Sequence, residues 1–171
     1  MGEEERDERL QRLKDEIEGA FRDMPYPGDD NIAANKRDEC EEGLAAFKGK
    51  HWKDITFEFL VPNLKSSATF FTPEAYRFYL PAYLMVVAEY YFESDALSVN
   101  IIKDLVLPDE GKYEKWKRNC DEFYERFEPL NTEQKRAIKS FLEFTIDMYM
   151  YRDATLCNDN ILALERYWQY M

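Results

Sequence analysis

Few residues in this sequence have the chemistry of a general base, a nucleophile or a metal ligand. Histidine is the commonest general base and metal ligand, and the sequence contains one, His51, next to Trp52. A single histidine cannot supply the two Glu-x-x-His pairs of a helical di-iron site. The cysteines Cys40, Cys120 and Cys157 are widely spaced and form no CxxC motif. We therefore predict no catalytic residues, no metal site and no cofactor.

Two carboxylate pairs are spaced one helical turn apart: Glu89 with Glu93, and Glu143 with Asp147. If the two pairs met inside the fold, the pKa of one carboxyl group would rise, as acid–base catalysis requires. The ordinary interpretation is that they form the solvent-facing sides of their helices, with Glu143 paired to Lys139. We favour the ordinary interpretation.

Arg77 stands between Tyr76 and Phe78 in a strongly apolar segment. An arginine there is either a member of a buried ion pair or a ligand for an anion or carboxylate, and we favour the ion pair. Pro81 follows four residues later and leaves one backbone carbonyl without its helical donor. If the chain has a small-molecule site, we expect it at this proline, lined by Trp52, Arg77, Tyr79, Tyr83 and Gln134.

Apolar residues recur at helical spacing through most of the chain, which predicts an amphipathic N-terminal helix within residues 1–24 and a loop over residues 25–35. Residues 55–61 fit a helix or a strand, and we favour the helix. Pro25, Pro62, Pro108 and Pro129 mark breaks between elements. Further helices are predicted at about residues 36–48, 52–62, 72–91, 96–107, 113–127, 131–149 and 154–168.

Two local signals mark helix starts. Thr72-Pro73-Glu74 combines an N-cap residue, a proline at the first helical position and an early acidic residue. Asn131 and Gln134 have the spacing of a capping box. Pro81 lies inside the most apolar helix and should kink it or divide it in two. These patterns predict an all-α fold: one domain over residues 1–171, a compact bundle of about six to eight helices with the central helix kinked at Pro81.

The charge balance restricts the classes of partner. The formal net charge is −12 and aromatic residues make up 16% of the chain. Binding to nucleic acid or to anionic membranes is not expected, whereas a protein partner would be basic. The apolar run at residues 78–88 is too short to span a bilayer, and the N-terminus lacks the apolar region of a secretory signal. Together with the cysteine pattern, this predicts a cytoplasmic protein; the sequence leaves the oligomeric state open.

Two stretches resemble a known family. They are residues 70–84, which read FFTPEAYRFYLPAYL, and residues 130–142, which begin Leu130-Asn131-Thr132-Glu133-Gln134. With Trp52 upstream and Tyr167-Trp168 near the C-terminus, they resemble the DUF6714 family of small, mostly bacterial, functionally uncharacterised proteins. The Leu-Asn-Thr sequence departs slightly from the expected Leu-Thr. The resemblance implies a common fold and assigns no activity.

Three functional hypotheses follow. The first is a non-catalytic protein-interaction module, immunity-like or regulatory, which requires aromatic side chains exposed on the surface. The second is a small-molecule-binding or enzymatic domain with its pocket at Pro81, which requires a concave site there. The third is an acidic DNA mimic, which requires carboxylates clustered in one ordered stripe. We favour the first.

Overall fold

The computed structural model describes residues 3–34, 44–61, 70–94, 96–109, 113–149 and 158–171. These residues form seven α-helices and no strand, which confirms the all-α prediction. The helices are α1 (Glu3–Phe21), α2 (Phe57–Leu60), α3 (Pro73–Glu89), α4 (Ala96–Asp104), α5 (Tyr113–Phe127), α6 (Thr132–Tyr149) and α7 (Asn158–Arg166). Short 3₁₀ turns occur at Asp29–Asn31, Trp52–Asp54 and Trp168–Tyr170. The assignment of residues 1–171 to one domain stays a prediction.

Helix α3 lies at the centre of the fold. It begins as predicted, with the Thr72 hydroxyl accepting the Ala75 N–H at 3.1 Å and Pro73 in the first turn. Most of its side chains, including Pro81, are buried. The helix continues through Pro81 as one element, so the alternative of two separate helices is wrong. Proline removes one backbone hydrogen bond, and the buried side chains on both sides of Pro81 outweigh that loss.

The other helices pack around α3. Helix α1 contacts both α6 and α3, α5 contacts α3, and α7 contacts α6 and α4. The apolar stripe of α1 is buried at Leu13, Ile17 and Phe21, as its helical spacing predicts. One continuous cluster of buried apolar side chains connects all these elements.

Two helices end earlier than predicted. Helix α1 ends at Phe21 rather than at residue 24, and the Met24 N–H bonds the Phe21 carbonyl in a turn. The prolines at 25 and 27 explain this end, because a residue before proline disfavours helical backbone angles. Helix α4 ends at Asp104 rather than near residue 107, although backbone turns continue to Val106.

The ambiguous segment 55–61 is helical over residues 57–60, as favoured. The single helix predicted at about 52–62 is wrong in extent, because Trp52–Asp54 forms a 3₁₀ turn and Ile55 and Thr56 are extended. Thr56 caps α2 by accepting the Phe59 N–H at 3.3 Å. Most of the predicted helix at 36–48 lies outside the described residues, and only its last residues from 44 onward are described. The first part of the predicted helix at 154–168 also lies outside them; the described part begins at Asn158.

Candidate functional site

Trp52 and Tyr79 connect residues 44–55 to the central helix. Trp52 is buried, and its indole N–H has no acceptor among the residues that the structure describes. The Tyr79 hydroxyl lies 2.8 Å from the Phe47 carbonyl oxygen and 3.1 Å from that of Lys50. His51 is exposed, and its Nδ1 accepts the Lys53 N–H at 3.1 Å at the start of the 3₁₀ turn. These side chains therefore hold a loop in place.

Arg77 and Gln134 have structural partners on other elements. The Arg77 Nη1 donates to the Glu125 carbonyl in the last turn of α5 at 2.6 Å, and its Nη2 lies 3.5 Å from the Glu74 carboxylate. Gln134 Oε1 accepts the Asn131 N–H at 2.9 Å, while Asn131 Oδ1 accepts the Gln134 N–H at 2.9 Å. The predicted capping box is therefore present, and Arg77 binds α5 and Glu74.

The predicted binding residues do not gather around one shared group. Tyr79 and Tyr83 both pack against the Phe71 ring, with ring centroids 5.3 and 6.3 Å away. Trp52 reaches this region through His51 and Phe78, but Arg77 and Gln134 are bound elsewhere. Every residue from Phe78 to Leu84 is buried. A binding role for these residues stays a prediction, and packing around Pro81 does not favour a pocket there.

A polar cluster connects α3, α4 and α5: the buried Tyr76 and Tyr83 with the half-buried Asp104 and Arg126. Arg126 Nη1 lies 3.8 Å from Asp104 Oδ2, and its guanidinium carbon lies 4.7 Å from the Tyr76 ring centroid. Burial raises the pKa of Asp104 although Arg126 opposes the shift. Burial and the Asp104 charge also raise the pKa of Tyr76 and Tyr83. The Tyr76 hydroxyl makes no hydrogen bond of normal geometry with a described residue.

Sequence reasoning missed this cluster except for Tyr83. Tyr76 and Tyr83 lie seven residues apart on one helical face, which is the only local signal. Asp104 and Arg126 are far apart in the sequence and belong to different helices, so their proximity depends on how α4 and α5 pack. A carboxyl group with a shifted pKa indicates a functional site only when a substrate can reach it, because structural ion pairs shift pKa values too.

The two carboxylate pairs do not meet inside the fold. Glu89 accepts a hydrogen bond from Lys14 and Asp147 accepts one from Arg9 at 2.7 Å, so both are bound by α1. Glu93 and Glu143 are exposed. The expected Glu143–Lys139 pair is wrong, because the Lys139 ammonium donates to the Gln169 carbonyl instead. The C-terminal turn lies within reach of the Lys139 side chain, and this proximity comes from the packing of the fold and not from a local sequence pattern.

Within the described ranges, no cluster of three or more His, Cys, Asp or Glu side chains is placed to hold a metal ion. Cys120 is buried, and burial with the nearby Asp121 charge raises its pKa, which disfavours the nucleophilic thiolate. Cys40 and Cys157 lie outside the described residues. No helix within these ranges is both long and apolar enough to cross a bilayer.

Exposed tyrosines gather where α5 meets the C-terminal turn. Tyr124 is 40% exposed and Tyr170 is 74% exposed. The half-buried Tyr167 packs its ring 6.3 Å from that of Tyr124 and 5.1 Å from that of Phe123. Tyr170 follows in the same turn, with its N–H bonded to the Tyr167 carbonyl. We call Tyr124, Tyr167 and Tyr170 the tyrosine surface.

Trp168 fixes the position of the tyrosine surface. Its side chain is fully buried, and its indole N–H donates to the Leu105 carbonyl at 2.7 Å. The ring also packs against Phe127 of α5 at 5.3 Å. The C-terminal turn is therefore attached to α5 and to the residue that follows α4, and these contacts hold Tyr167 and Tyr170, the neighbours of Trp168, in a defined position.

Acidic side chains flank the tyrosine surface. Asp121 and Glu125 on α5 and Glu128 just after it are exposed near Tyr124. Partial burial raises the pKa of Tyr167, and the Glu128 charge adds to this effect. The Tyr167 hydroxyl therefore stays neutral at physiological pH and can donate a hydrogen bond. The interaction hypothesis required exposed aromatics, but the sequence did not identify this group, because exposure depends on how the C-terminal turn folds back onto α5.

Comparison with known proteins gives one positive finding. No curated protein and no solved structure matches the chain significantly. The sequence matches DUF6714, described as a family of unknown function, over residues 10–171. The match covers nearly the whole chain and includes every element of the candidate sites except the first turns of α1. The chain therefore belongs to the DUF6714 family.

Proposed function

We propose that this chain is a cytoplasmic, non-catalytic protein-interaction module, immunity-like or regulatory, that binds a basic protein through its tyrosine surface. The observation that carries the proposal is the group formed by Tyr124, Tyr167 and Tyr170 on a turn held by Trp168. Tyrosine is among the residues enriched at the energetic centres of protein interfaces. It offers a large contact area with a hydroxyl that bonds a partner.

The fixed geometry of the surface supports the proposal. A side chain that is already ordered loses less conformational entropy on binding. Tyr167 is packed between Phe123 and Tyr124, and the turn is attached by the buried Trp168. Two other exposed aromatics have partners outside any such group: Tyr26 bonds Asp29, and Phe92 packs against the Tyr149 ring.

The charge distribution supports a basic partner. The net charge of −12 attracts cationic proteins at long range and raises their association rate. Asp121, Glu125 and Glu128 place negative charge at the edge of the tyrosine surface. The contacts of His51 and the raised pKa of Cys120 support a non-catalytic role, since both groups serve the packing of the fold.

The two other hypotheses receive less support. Burial of every residue from Phe78 to Leu84 does not favour a pocket at Pro81. A DNA mimic needs an uninterrupted acidic stripe, but the carboxylates Asp147, Glu89 and Glu18 are each paired with a basic residue of a neighbouring element. That arrangement mixes both signs of charge along α1.

The proposal is tested by affinity capture from cells that encode the chain, with the parent protein beside a Tyr124→Ser/Tyr170→Ser variant. Val61→Ser is the matched control, because Val61 is 41% exposed at a distant element. We expect one stoichiometric protein that the parent and the control retain. The double variant should bind the purified partner at least about 100-fold more weakly, the loss expected for two interface hot spots. Equal capture by all three proteins would contradict the proposal.

A further inference from the structure

A cleft runs between α1 and α6. Its volume is about 300 Å³, and its lining includes Arg9, Arg12, Leu13, Glu16, Ser140, Glu143, Phe144 and Asp147. The Arg9–Asp147 ion pair of 2.7 Å crosses one end, and the Ser140 hydroxyl donates to Glu16 at 3.0 Å across the other end. Leu13 and Phe144 are buried between these two bonds and supply an apolar floor.

The two end contacts fix the register of the helices. Arg9 lies opposite Asp147 and Glu16 lies opposite Ser140, so the helices run antiparallel. Arg12 and Glu143 therefore both lie between the two ends, on opposite walls. Both are exposed, and neither forms an ion pair with the other or with any residue that the structure describes.

We propose that this cleft binds a small zwitterion the size of a dipeptide. The ligand's carboxylate would bond Arg12, its ammonium group would bond Glu143, and an apolar side chain would cover Leu13 and Phe144. Arginine suits carboxylates because its planar guanidinium can donate two parallel hydrogen bonds. An opposite charge on each wall selects a ligand that carries both charges over a simple anion or cation.

The dimensions fit this class of ligand. A volume of about 300 Å³ is at the small end of ligand sites. Axes of packed helices are about 8–10 Å apart, and two extended residues span at most about 7 Å. A dipeptide can therefore reach both walls, whereas the charges of a single amino acid are too close together to do so equally well. Because the cleft is open to solvent, we expect a dissociation constant of about 1 mM.

The test is an NMR titration of the ¹⁵N-labelled full chain with the dipeptide alanyl-leucine, which also reports whether each variant is folded. We expect saturable shifts confined to α1 and α6. N-acetyl-leucine amide, which lacks both charges, should bind at least tenfold more weakly, as should free leucine. An Arg12→Gln/Glu143→Gln variant should lose at least tenfold in affinity. Arg118→Gln/Glu122→Gln, with the same charge changes at exposed sites on α5, should bind normally.

The assignment of each charge is tested with alanyl-leucine amide, which keeps the ammonium group and lacks the carboxylate. Its binding should be weakened by Glu143→Gln and unaffected by Arg12→Gln. The proposal is overturned if alanyl-leucine gives no shifts at tenfold the expected dissociation constant. It is also overturned if the Arg12→Gln/Glu143→Gln variant binds as tightly as the parent, or if the uncharged compound binds equally well.

Discussion

The hydroxyl group of Tyr79 bonds the central helix to the loop at residues 44–55. Tyr79 is fully buried, and its hydroxyl lies at hydrogen-bonding distance from the carbonyl oxygens of Phe47 and Lys50. Burial raises the pKa of Tyr79, so the group stays protonated and able to donate. The sequence marked Tyr79 as a candidate ligand contact, since a tyrosine in an apolar helix does not reveal its partner.

We expect Tyr79→Phe to lower the free energy of unfolding by about 1–3 kcal/mol, because buried carbonyl groups lose their donor. The measurement is chemical denaturation of the parent and the variant. Tyr170→Phe is the control and should change stability by less than about 0.5 kcal/mol, since its side chain is exposed. Equal stability of Tyr79→Phe and the parent would show that water replaces the lost donor.

The half-buried carboxyl group of Asp104 makes stability depend on pH. Burial raises its pKa above the ordinary value of 3.8, against the opposing effect of Arg126. The fold therefore favours the protonated form. By linkage, this contribution to stability is fully present below the unfolded pKa and is lost as the pH rises through the folded pKa.

We therefore expect Asp104→Asn to be more stable than the parent at pH 7, because the variant buries no ionised carboxylate. The difference should shrink as the pH falls and vanish below pH 3.8, where the parent carboxyl is protonated in both states. Unfolding curves measured across this range, together with an NMR titration of the Asp104 carboxyl, test the expectation. A titration midpoint below 3.8, together with a less stable variant, would show that the attraction of Arg126 outweighs the effect of burial on the Asp104 pKa.

Helix starts are the elements that local sequence predicted best. The Thr72 cap and the reciprocal Asn131–Gln134 capping box involve residues three positions apart, so their chemistry is fully local. The contacts of Arg77 with Glu125 and of Lys139 with Gln169 join residues far apart in the sequence. Such contacts depend on helix packing, which no local pattern encodes.

The capping box gives a prediction about α6. Asn131→Ala removes the side-chain acceptor of the Gln134 N–H and should cost about 1 kcal/mol of stability. Asn131→Gly should cost only a few tenths of a kcal/mol, since glycine is a tolerated cap residue. Both values come from denaturation curves. If the alanine and glycine variants are equally stable, the cap contributes little and packing alone sets the start of α6.

The C-terminal turn depends on Trp168. Trp168→Phe removes the indole N–H bond to Leu105 and leaves space in a fully buried site. We expect a loss of about 2–4 kcal/mol, combining an unpaired carbonyl with a cavity. Faster amide hydrogen exchange at residues 167–171 than in α3 would show that the turn detaches first. If amide exchange becomes faster by the same factor throughout the chain, Trp168 stabilises the whole fold rather than the C-terminal turn alone.

At the scale of the whole molecule, the sequence predicted the fold class and the central position of α3, because both follow from apolar periodicity and from a helix that is apolar on nearly all sides. The candidate sites were harder to predict. The tyrosine surface and the cleft between α1 and α6 each combine helices distant in sequence, so their composition follows only from the three-dimensional packing.

Site-specific photo-crosslinking shows whether the tyrosine surface contacts a protein partner. A benzophenone amino acid replaces Tyr124 or Tyr170 in turn, with replacement of Phe92 as an exposed aromatic control. Phe92 follows the C-terminal end of α3. The tyrosine surface is nearer the other end of α3, because Tyr76 there contacts Phe127, which packs against Trp168. We predict the same crosslinked protein from positions 124 and 170 and none from position 92. No product at either tyrosine, or equal products at all three positions, would contradict the account.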